Sequence, residues 1–190
     1  CDDRCDAARL QETLAQRLLD LFERTAADDW PWFEDILSYC NAKIPHALLV
    51  AASALDRTDM IDTALDAMAW LAIVHSADDG HFTPVGSDGF FKRGGERALF
   101  DQQPIEAHAV VAAGLEAHRT TRDEFWLDEA RRAHEWFLGA NHLGAPVGDA
   151  DTGACYDGLH EDRVNLNRGA ESTLAFPLAT LAMDGGQRSA

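Results

Sequence analysis

The feature that most constrains the fold is an internal repeat, because two helical stretches of the chain follow the same pattern sixty-six positions apart. Ala64 corresponds to Ala130 when the chain is aligned with itself, and Trp70 corresponds to Trp136. Apolar residues in these stretches recur at the spacing of one face of an α-helix. No segment outside the loops alternates as a strand would. The repeat therefore predicts an all-α fold built from paired helices.

The periodicity predicts a single domain over residues 1–190, with a leading helix followed by hairpins that have short turns at one end only. Pro45 falls inside the first repeated unit, where it is expected to kink a helix or to mark its late start. The other ends of the hairpins carry long loops rich in Gly, Asp and aromatic residues. Function usually resides on such loops. The predicted ranges are about 6–27 for the leading helix and about 35–76, 104–140 and 168–183 for the repeated units.

The alternation of the helices predicts two layers. The first, third and fifth helices would lie outside, whereas the second, fourth and sixth would lie inside and start at the loop-rich face. Helix hairpins arranged in this way form α/α toroids, in which the inner helices surround a core. Three pairs make half of a six-pair ring. The chain is therefore expected to be a fragment of a longer polypeptide, an arc that a partner completes, or an open arc.

The chain is strongly acidic, with 33 Asp and Glu against 16 Lys and Arg and a formal net charge of −17. Such a surface repels nucleic-acid phosphates and anionic lipid headgroups, so neither partner is expected. No apolar run reaches the length of a membrane span, and a cytoplasmic location without membrane insertion is predicted. The cysteines, at Cys1, Cys5, Cys40 and Cys155, match no zinc or disulfide spacing, so reduced thiols are expected.

A polar segment that contains aromatic or amide side chains precedes each inner helix, over residues 30–41, 93–106 and 157–172. The phasing of the helices would bring the three segments to one concave face. Flat aromatic rings stack on sugars, and amides offer paired donors and acceptors to hydroxyl groups. Carboxylates on such a face could act as general acid and general base. The pattern therefore favours a carbohydrate site.

The catalytic candidates are Asp101 and Glu171, which are flanked by amides and small residues, followed by Glu34. Structural alternatives stay open, because Asp101 could cap a helix and Glu171 could complement a helix dipole. Trp30 could equally staple a hairpin, and Arg93 could pair with loop acids. The candidate substrate-binding residues are Trp30, Tyr39, Asn41, Arg93, Gln102, Gln103, Glu106, His160, Asn165 and Asn167.

Motifs for metals and phosphates are absent from the sequence. The histidines are scattered, and no His, Cys or carboxylate spacing of a known metal motif occurs. A Gly-rich phosphate loop and a nucleophile elbow are also missing. Neither a metal ion nor another cofactor is predicted.

Five motifs together carry a resemblance to a known family: 30–48, which begins Trp-Pro-Trp-Phe-Glu-Asp, then 78–82, 93–97, 100–107 and 167–172. They resemble segments of the helical domains that follow family-4-type glycosyltransferase domains in bacteria. The resemblance extends over residues 10–183 and covers the C-terminal half of that longer domain. It implies a toroid like those of glycoside hydrolases and sugar epimerases. Where the family usually has Tyr-Asp-Asn-Ala, this chain has Tyr39-Cys40-Asn41-Ala42.

Three hypotheses about function follow. The first is a carbohydrate-active or carbohydrate-binding domain associated with a glycosyltransferase, with glycosidase-type acid–base chemistry on a saccharide or a sugar-nucleotide-derived substrate. The second is a non-catalytic scaffold that forms a homodimer or completes a ring with the N-terminal half of the same polypeptide. An exposed apolar edge on the first or sixth helix would favour the scaffold. The third is sugar epimerisation, which needs two facing histidine bases.

Overall fold

The computed structural model describes residues 2–187, and helices account for most of this range. The all-α class predicted from the repeat is therefore confirmed. None of the described helices combines the length and the apolar character needed to cross a membrane. The elements in chain order are α1 (Asp2–Thr25), β1 (Ile36–Leu37), α2 (Lys43–Leu55), α3 (Thr58–Val74), β2 (Phe91–Lys92), α4 (Pro104–Thr121), α5 (Glu124–Phe137), β3 (Gly158–Leu159), β4 (Val164–Asn165) and α6 (Ala170–Gln187).

The start of α2 differs from the prediction of a helix from about residue 35. The helix begins at Lys43, so Pro45 lies in its first turn, where a missing N–H has no intrahelical partner to lose. Of the two predictions made for Pro45, a kink or a late start of the helix, the late start is therefore confirmed. The residues before it form β1 and a turn, and β1 pairs antiparallel with β2 so that Ile36 lies opposite Lys92.

The helices pack in the order that the repeat predicted. Helix α4 contacts α2 and α6, and the short connections bring α3 back along α2 and α5 back along α4. Helix α1 packs on α2 and α3, whereas α6 packs on α4 and α5. The helices α2, α4 and α6 therefore form a row of neighbours, named here the inner row. Helices α1 and α6 lie at its two ends.

Small side chains on α4 allow its neighbours to approach closely. Ala113 and Gly114 are buried there, and a Cβ atom added at Gly114 would lie 2.8 Å from the carbonyl oxygen of Trp126 in α5. Bulky side chains from the surrounding elements fill the space on both sides of α4. They form two hydrophobic clusters, whose buried members include Trp32, Phe33, Leu48, Leu49, Met60, Trp136, Phe137 and Phe176.

The loops before α4 and α6 are joined to each other by backbone pairing. The N–H groups of Gln102 and Leu159 each donate to the carbonyl oxygen of the other residue, at 2.9 Å in both directions. A Cβ atom at Gly158 would lie 2.0 Å from the Gln102 carbonyl oxygen, and Gly158 has a φ of +141°. Only glycine fits at this crossing. The pairing fixes the relative position of the two loops from which polar side chains extend.

We expect Gly114→Ala to lower the free energy of unfolding by about 1–3 kcal/mol, because the added methyl group would overlap the Trp126 carbonyl oxygen and crowd the Ala130 Cβ. Gly185→Ala in α6 is the matched control, since a Cβ atom there meets nothing within 4 Å in the described structure. It should be neutral or stabilising by up to about 1 kcal/mol. Urea denaturation measures both changes. Equal stability of Gly114→Ala and the wild type would contradict the close approach of α4 and α5.

Candidate functional site

The starts of α2, α4 and α6 meet in a group of side chains named here the helix-start cluster, which consists of Tyr39, Cys40, Asn41, Glu106 and Glu171. Glu106, in the first turn of α4, accepts hydrogen bonds from the backbone N–H groups of Cys40 and Asn41. The Tyr39 hydroxyl group donates to Oε2 of Glu171, in the first turn of α6. The Cys40–Glu106 and Tyr39–Glu171 bonds span 66 and 132 positions of the chain. The cluster therefore joins equivalent points of three repeats.

Glu106 forms the buried base of the cluster, with 2% of its surface exposed. Besides the two backbone donors, Nδ2 of Asn41 donates to Oε2 of Glu106 at 3.2 Å. Burial raises the pKa of Glu106 to about 7, although the three donors oppose this rise, and the nearby Glu171 raises it further. Asn41 is also buried, and its Oδ1 accepts the N–H of Ser38 at 2.9 Å. Both predicted substrate-binding residues are thus occupied by contacts within the protein.

Tyr39 and Glu171 form the exposed part of the cluster. Partial burial and the bond to Glu171 raise the pKa of Tyr39, so the phenol keeps its proton at physiological pH. Burial and the charge of Glu106 raise the pKa of Cys40 to about 11. The Cys40 thiol is therefore protonated and unsuited to act as a nucleophile. Glu171 is the carboxylate of the cluster that a ligand can reach.

A second polar pair lies on the two loops that backbone pairing joins. Nδ1 of His160 contacts Oδ1 of Asp101, and the two side chains are 27% and 47% exposed. A carboxylate on Nδ1 orients the imidazole and leaves Nε2 for a ligand, as in a His–Asp base. The alternative that Asp101 caps α4 is wrong, because the N-cap residue is Gln103, which makes no side-chain cap bond.

A cleft of about 230 Å³ opens beside this second pair. Its wall includes Phe100 and Gln102, the chain neighbours of Asp101, together with His142. Nε2 of His142 donates to the carbonyl oxygen of His160 at 3.0 Å, which ties the cleft wall to the pair. This volume is below the range of about 300–1,000 Å³ that is typical of small-molecule sites.

Asp157 is a residue of the site region that the sequence analysis did not identify. Its Oδ1 accepts the N–H of Gly169 at 2.6 Å, which holds the start of α6. Its own N–H donates to the carbonyl oxygens of Asn165 and Asn167, at 3.2 and 2.9 Å. The two asparagines, predicted to bind substrate, therefore order this turn through their backbone. An aspartate twelve positions before the residue it holds gives no local capping signal.

Trp30, Glu34 and Arg93 are predicted site residues that belong neither to the helix-start cluster nor to the Asp101–His160 pair. Trp30 is buried and packs edge-on against Phe91, so its ring faces are not available to a sugar. Its Nε1 donates to the carbonyl oxygen of Glu34 at 2.7 Å, while the Glu34 side chain is exposed beside it. Arg93 donates to the carbonyl oxygen of Thr25 at 2.9 Å and pairs with nearby acids. The packing role of Trp30 and the ion-pairing role of Arg93, which the sequence left open, are the observed ones.

Gln102 also has a structural role instead of the predicted contact with substrate. It is buried, and its Oε1 accepts the indole N–H of Trp136 at 2.8 Å. Its Nε2 donates to Oγ1 of Thr83 and to the carbonyl oxygen of Leu99, both at 3.0 Å. These bonds use both donor hydrogens of the amide and one lone pair of its oxygen. Gln102 therefore connects the cleft wall to α5.

Within residues 2–187, no three His, Cys, Asp or Glu side chains gather as a metal site would require. Cys40 and Cys155 carry free thiols, whereas the side chains of Cys1 and Cys5 lie outside the described part. His75 is fully buried against Phe82, and burial lowers the pKa of its ring to about 3. It is therefore a neutral core residue.

Comparison of the chain with models of known protein families and with characterised proteins finds no match in either case. The assignment of chemistry to this site thus rests on its geometry and electrostatics.

The titration of Glu106 gives a testable dependence of stability on pH. The folded protein holds the Glu106 proton more tightly than the unfolded chain, with a pKa of about 7 against an ordinary value of 4.5. The stability that this proton contributes is therefore lost as the pH rises from 4.5 through about 7. Relative to Glu106→Gln, the free energy of unfolding of the wild type should fall by about 1–3 kcal/mol between about pH 5 and about pH 8.

Urea denaturation at intervals across this pH range measures the difference. Glu34→Gln is the matched control, because it makes the same chemical change on an exposed side chain and should follow the wild type. Parallel stability curves for the wild type and Glu106→Gln would show that Glu106 titrates in the folded protein as it does in the unfolded chain.

Proposed function

We propose that this chain is a carbohydrate-active helical domain, of the type associated with glycosyltransferases, whose site lies at the starts of α2, α4 and α6. One observation carries the proposal: two reachable carboxylates, Asp101 and Glu171, each contact a partner able to carry a proton. The partners are His160 and Tyr39. Exchange of protons with a glycosidic oxygen and with water is the chemistry that glycoside cleavage requires.

The fold proposed for this site is an arc of an α/α toroid. Three features support it: the inner row of α2, α4 and α6, the outer helices that return along them, and the common face at which the inner helices start. In a toroid of this kind the face at the helix starts is concave, and a saccharide chain would lie across it.

Some residues of the site would touch a ligand, and others hold those residues in place. His160, oriented by Asp101, is suited to remove a proton from water. Glu171, held by Tyr39, would first take up a proton from the solvent and then pass it to a leaving oxygen. Glu106 is a positioning residue, because its buried carboxyl group holds the backbone of the segment that carries Tyr39. Cys40, which stands where the similar family usually has Asp, adds no charge to this site at neutral pH.

Sugar epimerisation is disfavoured among the functions considered. It would require two histidine side chains that face a common substrate. His142 and His160 are neighbours, but Nε2 of His142 is bonded to the carbonyl oxygen of His160. One histidine of this pair is therefore left for proton transfer.

A scaffold function is the second candidate, because both ends of the inner row expose apolar side chains. Leu10 and Leu14 are exposed on α1, and Leu174, Leu178 and Leu181 are exposed on α6. Several large apolar side chains exposed on one helix are typical of an interaction surface. Association through the ends of the arc is compatible with a saccharide site on its concave face, since the two surfaces use different residues.

Calorimetric titration of the purified chain with a panel of neutral oligosaccharides tests the carbohydrate proposal, together with an assay for released reducing ends. At least one oligosaccharide should bind or be cleaved. Glu171→Gln and Asp101→Asn should each lower the affinity or the turnover by about tenfold or more, equivalent to about 1.4 kcal/mol.

Glu34→Gln is the control for these variants, because it removes an exposed carboxylate that belongs neither to the helix-start cluster nor to the Asp101–His160 pair, and it should leave binding unchanged. Folding of each protein is checked by circular dichroism. A folded wild type that gives neither heat nor product with any oligosaccharide would refute the carbohydrate function and leave the scaffold function.

A further inference from the structure

A groove with an apolar lining runs between α1 and α2, with a volume of about 590 Å³. Leu10 and Leu14 of α1 and Val50 of α2 line it and are exposed. No acidic residue lines the groove in the described structure, although acids outnumber Lys and Arg by two to one in the chain. Lys43, at the start of α2, is the charged residue in its lining.

At the other end of the inner row, α6 presents an apolar ridge of Leu174, Leu178 and Leu181. Their spacing places them on one face of the helix, and all three are exposed. Together with the three exposed groove residues, they make up half of the twelve large apolar side chains that are exposed in the described structure. The charged residues of α6, Glu171 and Asp184, are both acidic and flank the ridge.

The repeat indicates which helix fits the groove. Helix α2 packs beside α4, and α4 packs beside α6. Continued backwards from α2, this series places a further inner helix in the groove beside α2. Helix α1 would lie on the outer side of that helix, as α3 lies on the outer side of α2. In the described chain, α6 is the inner helix with a free far side. We propose that α6 of one copy of this chain docks in the α1–α2 groove of a second copy.

Charge and direction support this pairing. The inner helices start at one face, so a docked α6 runs parallel to α2, and its Glu171 end meets the Lys43 end of the groove. Opposite charges therefore meet there in a chain whose net charge of −17 would otherwise oppose self-association. A head-to-tail contact of this kind either closes or continues as a filament. Two arcs of three inner helices close a ring of six through two equivalent interfaces.

Sedimentation velocity at about 0.15 M salt tests the proposal, since local contacts then outweigh the screened long-range repulsion. The expected species has twice the chain mass of 20.8 kDa. Leu178→Glu on the ridge and Val50→Glu in the groove should each weaken the dimer at least tenfold, because each would bury a carboxylate in the interface. Ile73→Glu on α3 is the control, because this exposed side chain lies outside both surfaces, and its dimer should persist.

A mixture of the two interface variants tests the head-to-tail pairing itself. Leu178→Glu retains the groove and Val50→Glu retains the ridge, so an equal mixture should form a heterodimer through one intact interface. A ridge-to-ridge contact predicts instead that Val50→Glu alone still dimerises, which would overturn the proposal. A monomeric wild type at about 100 times the concentration needed for detection would also overturn it, because another partner must then cover these surfaces.

Circular dichroism establishes that each variant keeps its helices, and Leu181→Lys and Leu14→Lys serve as replacements on the ridge and in the groove should a glutamate variant unfold. The inference does not depend on the saccharide function. Loss of sugar binding with an intact dimer refutes only the function, and a monomer that binds sugar refutes only the docking.

Discussion

The buried carboxyl group of Glu106 is the interaction on which the arrangement of the site depends. The N–H groups of Cys40 and Asn41 lie in a turn outside any helix or sheet, and buried donors of this kind require acceptors. Glu106 supplies the acceptor from the next repeat of the chain. The segment before α2 is thereby anchored to α4, and Tyr39 on that segment reaches Glu171, a further repeat away. Three helix starts are joined through one carboxyl group and one phenol.

Close packing around α4 makes this connection between the three helix starts possible. Because Ala113 and Gly114 are small, α5 approaches α4 to within contact of the backbone, and α2 and α6 flank the same helix. The Gln102 side chain, bonded to Trp136 of α5, then fixes the loop that precedes α4. Backbone pairing between Gln102 and Leu159 then fixes the loop before α6 as well. Exposed groups of the site are thus supported by buried, hydrogen-bonded neighbours, as an organised binding surface requires.

Periodicity was sufficient to predict the helices, their pairing and the meeting of their starts, because burial of an apolar stripe decides all three. It could not predict which polar residues are reachable. Trp30 and Gln102 are buried by partners far along the chain, Phe91 and Trp136, and no local pattern identifies such partners. The contact between Asp101 and His160 spans 59 positions and likewise depends on the pairing of two loops. In the sequence, only Pro45 indicated that α2 starts late.

The docking of two arcs would change the chemistry of the site as well as its shape. In one copy, Glu171 and the Asp101–His160 pair lie on a face that is open to water, where charges are strongly screened. Closure of a ring would bring the start of a second α2 beside Glu171 and would surround the face with six helix starts. Water would then be partly excluded, and proton transfer between the pairs and a bound saccharide would take place in a less polar environment. Association and acid–base function would therefore reinforce each other, because Glu171 lies at the edge of the docking surface and also belongs to the site.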